Sequence, residues 1–367
     1  MKKLSMSLAV AASALALTAA VPVLAGDFYQ QRNLVSNNPA LHAEQLDAKV
    51  VNAWGVAFNP YAVSWVADNG TGVSTLFNGE GVPSSLVVTI PGPNGSAGSP
   101  TGIVFYGGSG FVVTKGTASG PSVFLFAAED GGISGWSPTV DRLNAIRVID
   151  NSGSGAVYKG IAISGAGTGN LLYATDFHNG RVDVFDTTFK PVTLPGRPFQ
   201  DPHLPAGYAP FGIQAIHGDL VVTFAKQDAA RHDDVKGAGF GFVDVFAPDG
   251  TLLRRLAGGR MFNAPWGVAM APDGFGRFSG RLLVGNFGDG AINAFDVATG
   301  RWVGQLKGSD HKPIHIDGLW GIAFGNGVSL QHVNTLYFAA GPNGEADGLY
   351  GRLDVVPGDD RDDDAQN

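Results

Sequence analysis

The amino-acid sequence predicts an all-β fold, a six-bladed β-propeller of four-stranded antiparallel blades. Two observations lead to this prediction. A motif in which a glycine is followed by an apolar strand occurs six times, at spacings of 47, 58, 52, 55 and 54 residues, which suit one four-stranded blade each. The chain also holds 54 glycines among 367 residues, as a fold with many turns requires. The anchoring glycines are Gly55, Gly102, Gly160, Gly212, Gly267 and Gly321.

Each anchor strand is followed by further segments typical of β-strands. A second strand, rich in β-branched and aromatic residues, ends in turn at Asn69, Lys115, Asp176, Phe224, Asn286 and Ala340. A third strand follows each of these, and Gly-rich turns separate the two strands in several repeats.

A more polar fourth strand completes five of the six repeats, whereas the sixth repeat has only three strands. An N-terminal strand at residues 32–35 lies upstream of the first anchor, where an outer strand belongs. We therefore expect this strand to pair beside Leu353 and close the ring, which removes two open sheet edges.

The two ends of the chain differ in composition from the repeats. Residues 1–25 combine a basic start, an apolar stretch and small residues at the end, and they predict a cleaved signal peptide. A membrane anchor is the alternative, but Ser13, Thr18 and Pro22 make the stretch weak as a spanning helix. Residues 26–357 are assigned to the propeller, and the acidic residues 358–367 to a disordered tail.

Composition limits the location and the partners of the protein. The signal peptide predicts a secreted or periplasmic location, and no later segment is apolar for long enough to span a membrane as a helix. The formal net charge of −8 repels phosphate backbones, so we expect no nucleic-acid partner. The chain has no Cys and therefore needs no disulfide. We also expect a monomer.

The first repeat carries a recognisable pattern. It reads W-G-V-A-x-x-P from Trp54 and V-A-D-N-G from Val66, and the fourth repeat adds V-x-x-F-x-x-x-G from Val243. In this pattern the chain resembles the NHL repeat. From about Asp27 to Val356 the chain is similar to an uncharacterised family of exported bacterial propellers. The resemblance implies the fold and leaves the activity open, since propellers serve as binders, lactonases, lyases and phytases alike.

The residue before each anchor glycine is expected to surround the mouth of the central channel. It lies on the face that also carries the turns between second and third strands, which we call the top face. Two alternatives are open for this mostly aromatic ring: a stacking platform for a sugar, an aromatic metabolite or a peptide side chain, or a plug of mutually packed rings. In the first alternative Lys159 would fix an anionic group of the ligand. The ring consists of Trp54, Thr101, Lys159, Phe211, Trp266 and Trp320.

The ring residues argue against one known metal site. Six-bladed lactonases of the gluconolactonase type hold a divalent metal with acidic or amide side chains at the position before the glycine, because hard cations need oxygen ligands. No ring residue here is acidic or an amide, so we assign no metal ligand and expect no cofactor. A calcium site formed by Asp176 and Asn286 elsewhere on the top face stays as an alternative.

Turns and loops supply further polar residues on the top face. The turns contribute Lys115, Asp176 and Asn286, and also Asn69 and Glu345. The fourth repeat inserts a long loop at residues 226–239, which we expect over the channel mouth. Such a loop is either functional or disordered. Its polar residues include Asp228, Arg231, His232, Asp233 and Asp234.

Two functions are compatible with these features. The first is a binding or scaffold propeller that recognises a small organic, glycan or peptide ligand at the top-face mouth. The alternative is a metal-assisted hydrolase or lyase that uses Lys115, Asp176, His232 and Asn286. The sequence has no Gly-x-Ser-x-Gly elbow, no phosphate-binding Gly-Lys-Ser/Thr loop and no Cys nucleophile, so no catalytic residue is assigned.

Overall fold

The protein is described by a computed structural model over residues 28–165 and 169–356. Its inner strands form a closed ring, since each one contacts the inner strands of the two neighbouring blades and the sixth contacts the first. The predicted all-β, six-bladed propeller is confirmed. The predicted signal peptide at residues 1–25 and the acidic tail at 358–367 lie outside the described residues.

The first half of the chain supplies two leading strands and three blades. Blade 1 contains β3 to β6, blade 2 contains β7 and β10 to β12, and blade 3 contains β13 to β15. The strands are β1 (Phe28–Ser36), β2 (Gln45–Leu46), β3 (Ala53–Phe58), β4 (Ser64–Asp68), β5 (Val73–Phe77), β6 (Val88–Thr89), β7 (Pro100–Phe105), β8 (Val112–Lys115), β9 (Ala118–Pro121), β10 (Phe124–Ala128), β11 (Gly132–Trp136), β12 (Ile146–Asp150), β13 (Tyr158–Gly165), β14 (Asn170–Asp176) and β15 (Arg181–Phe185).

The second half supplies blades 4 to 6, which begin with the inner strands β16, β20 and β24. These strands are β16 (Tyr208–Ile216), β17 (Asp219–Lys226), β18 (Gly241–Phe246), β19 (Leu252–Arg255), β20 (Pro265–Met270), β21 (Leu282–Asn286), β22 (Ile292–Phe295), β23 (Trp302–Gln305), β24 (Leu319–Phe324), β25 (Leu336–Ala340) and β26 (Leu349–Val356). Short 3₁₀ helices lie in connections at Pro39–Leu41, Pro93–Gly95, Ser152–Ser154, Gly259–Met261 and Gly276–Phe278. Within the described residues, no helix has the length and apolarity needed to cross a bilayer.

The anchor glycines are explained by the close approach of neighbouring inner strands. A Cβ atom on Gly212 would lie 2.2 Å from the carbonyl oxygen of Trp266, and one on Gly321 would lie 2.6 Å from that of Trp54. Any side chain at these positions would push two blades apart. The glycine therefore sets how tightly the inner strands surround the axis.

The N-terminal strand β1 closes the ring as expected. It pairs antiparallel with β26, with Phe28 opposite Val356 and Gln31 opposite Leu353, and a bulge lies between Asn33 and Val35. Sheet order places β1 outside β26, so it serves as the outer strand of blade 6. The last blade is thus built from both ends of the described chain.

Three blades depart from the regular pattern, and in blade 6 the short strand β2 pairs parallel with β1 as a fifth strand. In blade 2 the segment Val112–Lys115 pairs with Ala118–Pro121 in a separate hairpin, so the prediction that it forms the second strand of the blade is wrong. That place is taken by Phe124–Ala128, which pairs directly with the inner strand β7. In blade 3 the described residues form three strands, and the outer position is represented by a bridge from Phe185 to Pro191.

Candidate functional site at the top-face mouth

The aromatic residues of the predicted ring do converge on the axis. Trp54 stacks on Trp320 with ring centroids 3.7 Å apart, and Phe287 stacks on Trp320 at 3.8 Å. The ring of Trp266 meets those of Trp54 and Trp320 edge-on. Phe211 packs at 5.7 Å from Trp320.

Burial distinguishes the two alternatives for this ring. Trp54 and Trp320 are each 1% exposed, Phe211 is fully buried, and Trp266 is partly buried. The rings therefore form a plug, and the surface that an open stacking platform needs is covered. Thr101 is also buried, and its hydroxyl donates to the carbonyl oxygen of Tyr158 at 2.8 Å. This bond joins blade 2 to blade 3.

Below the plug the channel widens toward the opposite face. A cavity of about 400 Å³ is lined by the inner strands of blades 1, 2, 4, 5 and 6. Its lining side chains are apolar apart from Gln214. The plug thus separates an apolar lower cavity from a polar upper mouth.

Lys159 is the charged member of the ring, and its side chain is 1% exposed. Its Nζ lies 2.5 Å from Oε1 of Glu129 and 3.1 Å from Oδ1 of Asp233. Burial alone would lower the pKa of Lys159, but the two carboxylates outweigh burial and raise it. The ammonium is therefore charged and already neutralised, so it is not free to fix an anionic group as expected from the sequence.

The long loop of blade 4, residues 227–239, brings Asp233 to Lys159, and we call it the mouth loop. Its start is held by Gln227, whose side-chain amide donates to the carbonyl oxygen of Phe177 in blade 3. His232 Nδ1 lies 2.9 Å from Oδ1 of Asp233. The side chains of His232 and Asp233 are 47% and 65% exposed. These two groups face solvent at the mouth.

A chain of amide side chains extends the polar site across the axis. Asn69 donates to Oε2 of Glu129 at 2.7 Å, and Asn52 donates to Oε2 of Glu345 at 2.8 Å. Asn52 also donates to Oδ1 of Asn69 and accepts from Nε1 of Trp320. Burial, together with the nearby carboxylates of Glu129 and Asp233, raises the pKa of Glu345. The network thus links blades 1, 2 and 6 above the plug.

Two buried polar atoms, one in the plug and one in the mouth loop, lack a hydrogen-bond partner in the described part of the chain. Within the described residues, Nε1 of Trp54 and Oδ2 of Asp234 are buried without a hydrogen bond. Burial raises the pKa of Asp234 to about 7. Lys236 places its Nζ 4.0 Å from the ring centroid of Phe287.

One set of residues at the mouth has the chemistry of metal ligands. Among residues 28–165 and 169–356, single ligand atoms of Glu129, His232 and Asp233 all lie within 4.8 Å of one another. Two oxygens and one imidazole nitrogen fit a borderline divalent cation. The ammonium of Lys159 already contacts two of the three, so the protein places a positive charge of its own there.

Three predicted site residues lie away from this network. Lys115 is on the blade 2 hairpin and pairs with Asp141 at 2.6 Å. Asp176 is buried and accepts from the backbone of Val157 and from Asn179 within its own blade. Asn286 is buried in blade 5 and donates to the carbonyl oxygen of Met261. Asp176 and Asn286 thus bond to turns in different blades, and the calcium site suggested for them stays a prediction.

Sequence reasoning missed Glu129 because of the blade 2 insertion. Glu129 follows the second strand of its blade, as Asn69, Phe177 and Phe287 do in theirs. Each of these four donates its backbone N–H to the carbonyl of the residue two places before the ring residue. Gly102 and Gly160 are 58 residues apart, which is the longest of the five spacings between anchor glycines. This spacing was the available signal of an insertion in blade 2.

No known family profile matches the chain. The chain is 33% identical over 330 residues to uncharacterised protein R648 of Acanthamoeba polyphaga mimivirus, covering 88% of this chain and 79% of the viral protein. It is also 33% identical over 327 residues to uncharacterised protein L690 of the same virus, covering 87% and 84%. The chain belongs to the same family as these two proteins. Membership extends over nearly all six blades and carries no assigned activity.

Solved structures show the same architecture at low sequence identity. One is a Bacteroides thetaiotaomicron protein of unknown function, with a TM-score of 0.52 and 12% identity over 83% of this chain and 70% of the other. Another is a catalytically inactive virginiamycin B lyase from Staphylococcus aureus with quinupristin, with a TM-score of 0.51 and 12% identity over 89% and 99%. At these identities the likeness shows the fold alone.

Proposed function

We propose that the protein is a binding propeller that recognises a small organic or glycan ligand at the top-face mouth. The observation that carries the proposal is the contact between Asp233 and Lys159. It fixes the mouth loop of blade 4 to the ring residue of blade 3 and leaves His232 and Asp233 exposed beside it. The ligand would contact this polar network, because the aromatic plug below it is covered.

The convergence of polar side chains favours the mouth over the lower cavity as the ligand site. Polar side chains from five blades meet at the mouth, whereas the lower cavity is lined almost entirely by apolar groups. Ligand sites commonly combine a concave surface with a few convergent polar groups that orient the ligand. The polar groups are Asn69, Glu129, Lys159, Asp233 and Glu345.

The test compares substitutions of two blade 4 aspartates that lie at opposite faces of the propeller. A fragment library is screened by ligand-observed NMR, and hits are titrated against the unaltered protein, Asp233→Asn and Asp249→Asn. Asp249 is exposed in the turn after β18, far from the mouth. Losing a hydrogen bond to a charged group costs about 1.5–3 kcal/mol, so we expect Asp233→Asn to weaken binding about 10- to 100-fold. Equal affinities for all three proteins would contradict the proposal.

A metal-assisted hydrolase or lyase is the second candidate, favoured by the cluster of Glu129, His232 and Asp233. In this case the three residues would hold the ion, which would supply Lewis-acid chemistry to a bound substrate. Titration of Mn²⁺ and Zn²⁺ by calorimetry tests the binding step, with His232→Ala as the variant and His203→Ala as the control. Binding that persists in His232→Ala would argue against this cluster.

The location is also proposed, from the sequence. The basic and apolar composition of residues 1–25 supports export to the periplasm or the medium. N-terminal sequencing of protein recovered from cell fractions tests it, with mature protein beginning near residue 26 as the expected result. An uncleaved chain in the cytoplasm would contradict it.

A further inference from the structure

We infer that the ligand of the mouth carries a protonated amine. The inference rests on the proposed function and names the class of its ligand. The geometry behind it is a surplus of carboxyl groups around an aromatic stack that already holds two ammonium groups of the protein.

Carboxyl groups outnumber ammonium groups at the mouth. Glu129 and Asp233 contact Lys159 directly, and Asp234 and Glu345 lie within electrostatic reach of the same ammonium. Four carboxyl groups thus share Lys159 and the exposed Lys236. With every carboxyl group ionised the mouth carries a net charge of about −2, and proton uptake by Asp234, whose pKa is about 7, reduces this to about −1. Either potential favours a cation.

Two lysine side chains of the protein lie beside the aromatic stack at the mouth. The Nζ of Lys159 lies 5.1 Å from the ring centroid of Trp54, and that of Lys236 lies 4.0 Å from the centroid of Phe287. Trp54 and Phe287 are the two outer members of the stack whose centre is Trp320. An aromatic face beside carboxylates is a favourable place for an ammonium group.

The two lysines differ in how firmly they are held. Lys159 is buried between two carboxylates, whereas Lys236 is exposed and forms no ion pair within 4.0 Å in the described part of the chain. A ligand amine could therefore displace the Lys236 ammonium from the face of Phe287 without breaking a salt bridge. Lys236 occupies the place that we assign to the ligand.

Two buried polar atoms, one of Trp54 and one of Asp234, have no hydrogen-bond partner in the described residues. Nε1 of Trp54 needs an acceptor, and Oδ2 of Asp234 needs a donor. Trp54 is 1% exposed, so leaving its donor unpaired is costly. An amine that also carries a hydroxyl or carbonyl oxygen supplies both a donor and an acceptor. A carboxylate ligand would instead meet the negative potential of four carboxyl groups, with the exposed ammonium of Lys236 as its one unpaired counter-charge among these residues.

The experiment uses probes of matched shape and different charge. One set is glucosamine, glucose and glucuronate, and the other is benzylamine, benzyl alcohol and benzoate. Affinities are measured at pH 7 and low salt, by calorimetry or saturation-transfer NMR. We expect the amine of at least one set to bind at least ten-fold more tightly than its two partners. We expect Asp233→Asn to weaken that binding about ten-fold, Lys236→Met to strengthen it several-fold, and Asp249→Asn to leave it unchanged.

Each contrary result has a distinct meaning. If a neutral or acidic probe binds best and Asp233→Asn abolishes its binding, the mouth is a ligand site and the amine assignment is wrong. If no probe shows binding that depends on Asp233, both the assignment and the proposed function fail. Weaker amine binding in Lys236→Met would overturn the displacement argument. Glu129→Gln repeats the test should Asp233→Asn lose its fold by circular dichroism.

Discussion

At the scale of single residues, Lys159 shows how a charge is kept inside this ring. A buried ammonium costs several kcal/mol unless it is paired, and here two carboxylates from neighbouring blades pair it. One of them belongs to blade 2 and the other to the mouth loop of blade 4. The charge therefore ties together three blades around a single atom, and the position of the mouth loop depends on it.

Lys115 provides a test of the corrected assignment for blade 2. Its ammonium holds the pKa of Asp141 at about 2, chiefly through their hydrogen bond. We expect Lys115→Met to return the Asp141 pKa toward 3.8, as measured by NMR titration, while Lys312→Met leaves it unchanged. Probe binding at the mouth should be the same in both variants. Loss of binding in Lys115→Met alone would restore Lys115 to the site.

The buried carboxyl group of Asp244 leads us to predict an unusual pH dependence of the free energy of unfolding. Burial raises its pKa to about 6, despite its hydrogen bond to Arg255. Because the folded pKa exceeds the unfolded value of 3.8, the folded state binds the additional proton between about pH 4 and 6. This group therefore contributes stability at low pH that is lost as the pH rises through 6. Urea unfolding from pH 4 to 7 should show a flatter profile for Asp244→Asn than for the unaltered protein.

Residue-level prediction succeeded where the repeat was regular. The six ring positions follow directly from the anchor glycines, and all four ring aromatics meet on the axis as predicted. Their burial could not be predicted, because Phe287 completes the stack from a second-strand position that the glycine motif does not identify. The partners of Lys159 were also missed, since they depend on a turn hidden behind an insertion and on the path of a long loop.

At the scale of elements, the strand β1 completes blade 6 and closes the ring. Its residues Leu34 and Val35 are fully buried and pack with Tyr337 and Tyr350 of blade 6. Arg32 contacts Glu44 and Glu80, and Arg352 on the paired strand contacts Glu80 as well. The sequence predicted this closure by elimination, because the sixth repeat ended one strand short.

Two substitutions on β1 test how much this strand contributes to the free energy of unfolding. Leu34→Ala removes a buried side chain between blade 6 and blade 1, and we expect a loss of about 2–5 kcal/mol in the free energy of unfolding. Gln30 is exposed on the same strand, so Gln30→Ala should change stability by less than about 0.5 kcal/mol. Chemical denaturation measures both. Similar values for the two variants would mean that β1 is not part of the cooperative core.

At the scale of the whole molecule, the plug joins blades that are distant in sequence. Trp54, Trp320 and Phe287 come from blades 1, 6 and 5, so the stack spans the place where the ring closes. A plug of this kind stabilises closure directly, since its members are brought together only when all the blades are in place. The same rings support the mouth network through the bond from Trp320 to Asn52.

Two Trp→Ala variants distinguish the contribution of the plug to stability from the general effect of removing a large side chain. Trp320→Ala should lower the free energy of unfolding by about 3–5 kcal/mol, as expected for truncating a large core residue. Trp302 lies on the outer strand of blade 5 and is 42% exposed, so Trp302→Ala should cost much less. Thermal and chemical unfolding give both values. A small loss for Trp320→Ala would contradict the plug.

The pairing of Phe28 with Val356 also bears on how the chain could be rearranged. Paired residues in an antiparallel ladder lie about 5 Å apart, so a short linker would join these two positions without disturbing blade 6. A new start and end could then be opened in another exposed connection, such as residues 193–197 between blades 3 and 4. Circular permutants made in this way should retain the six-bladed ring, because order around the axis, and not order along the chain, determines which blades touch.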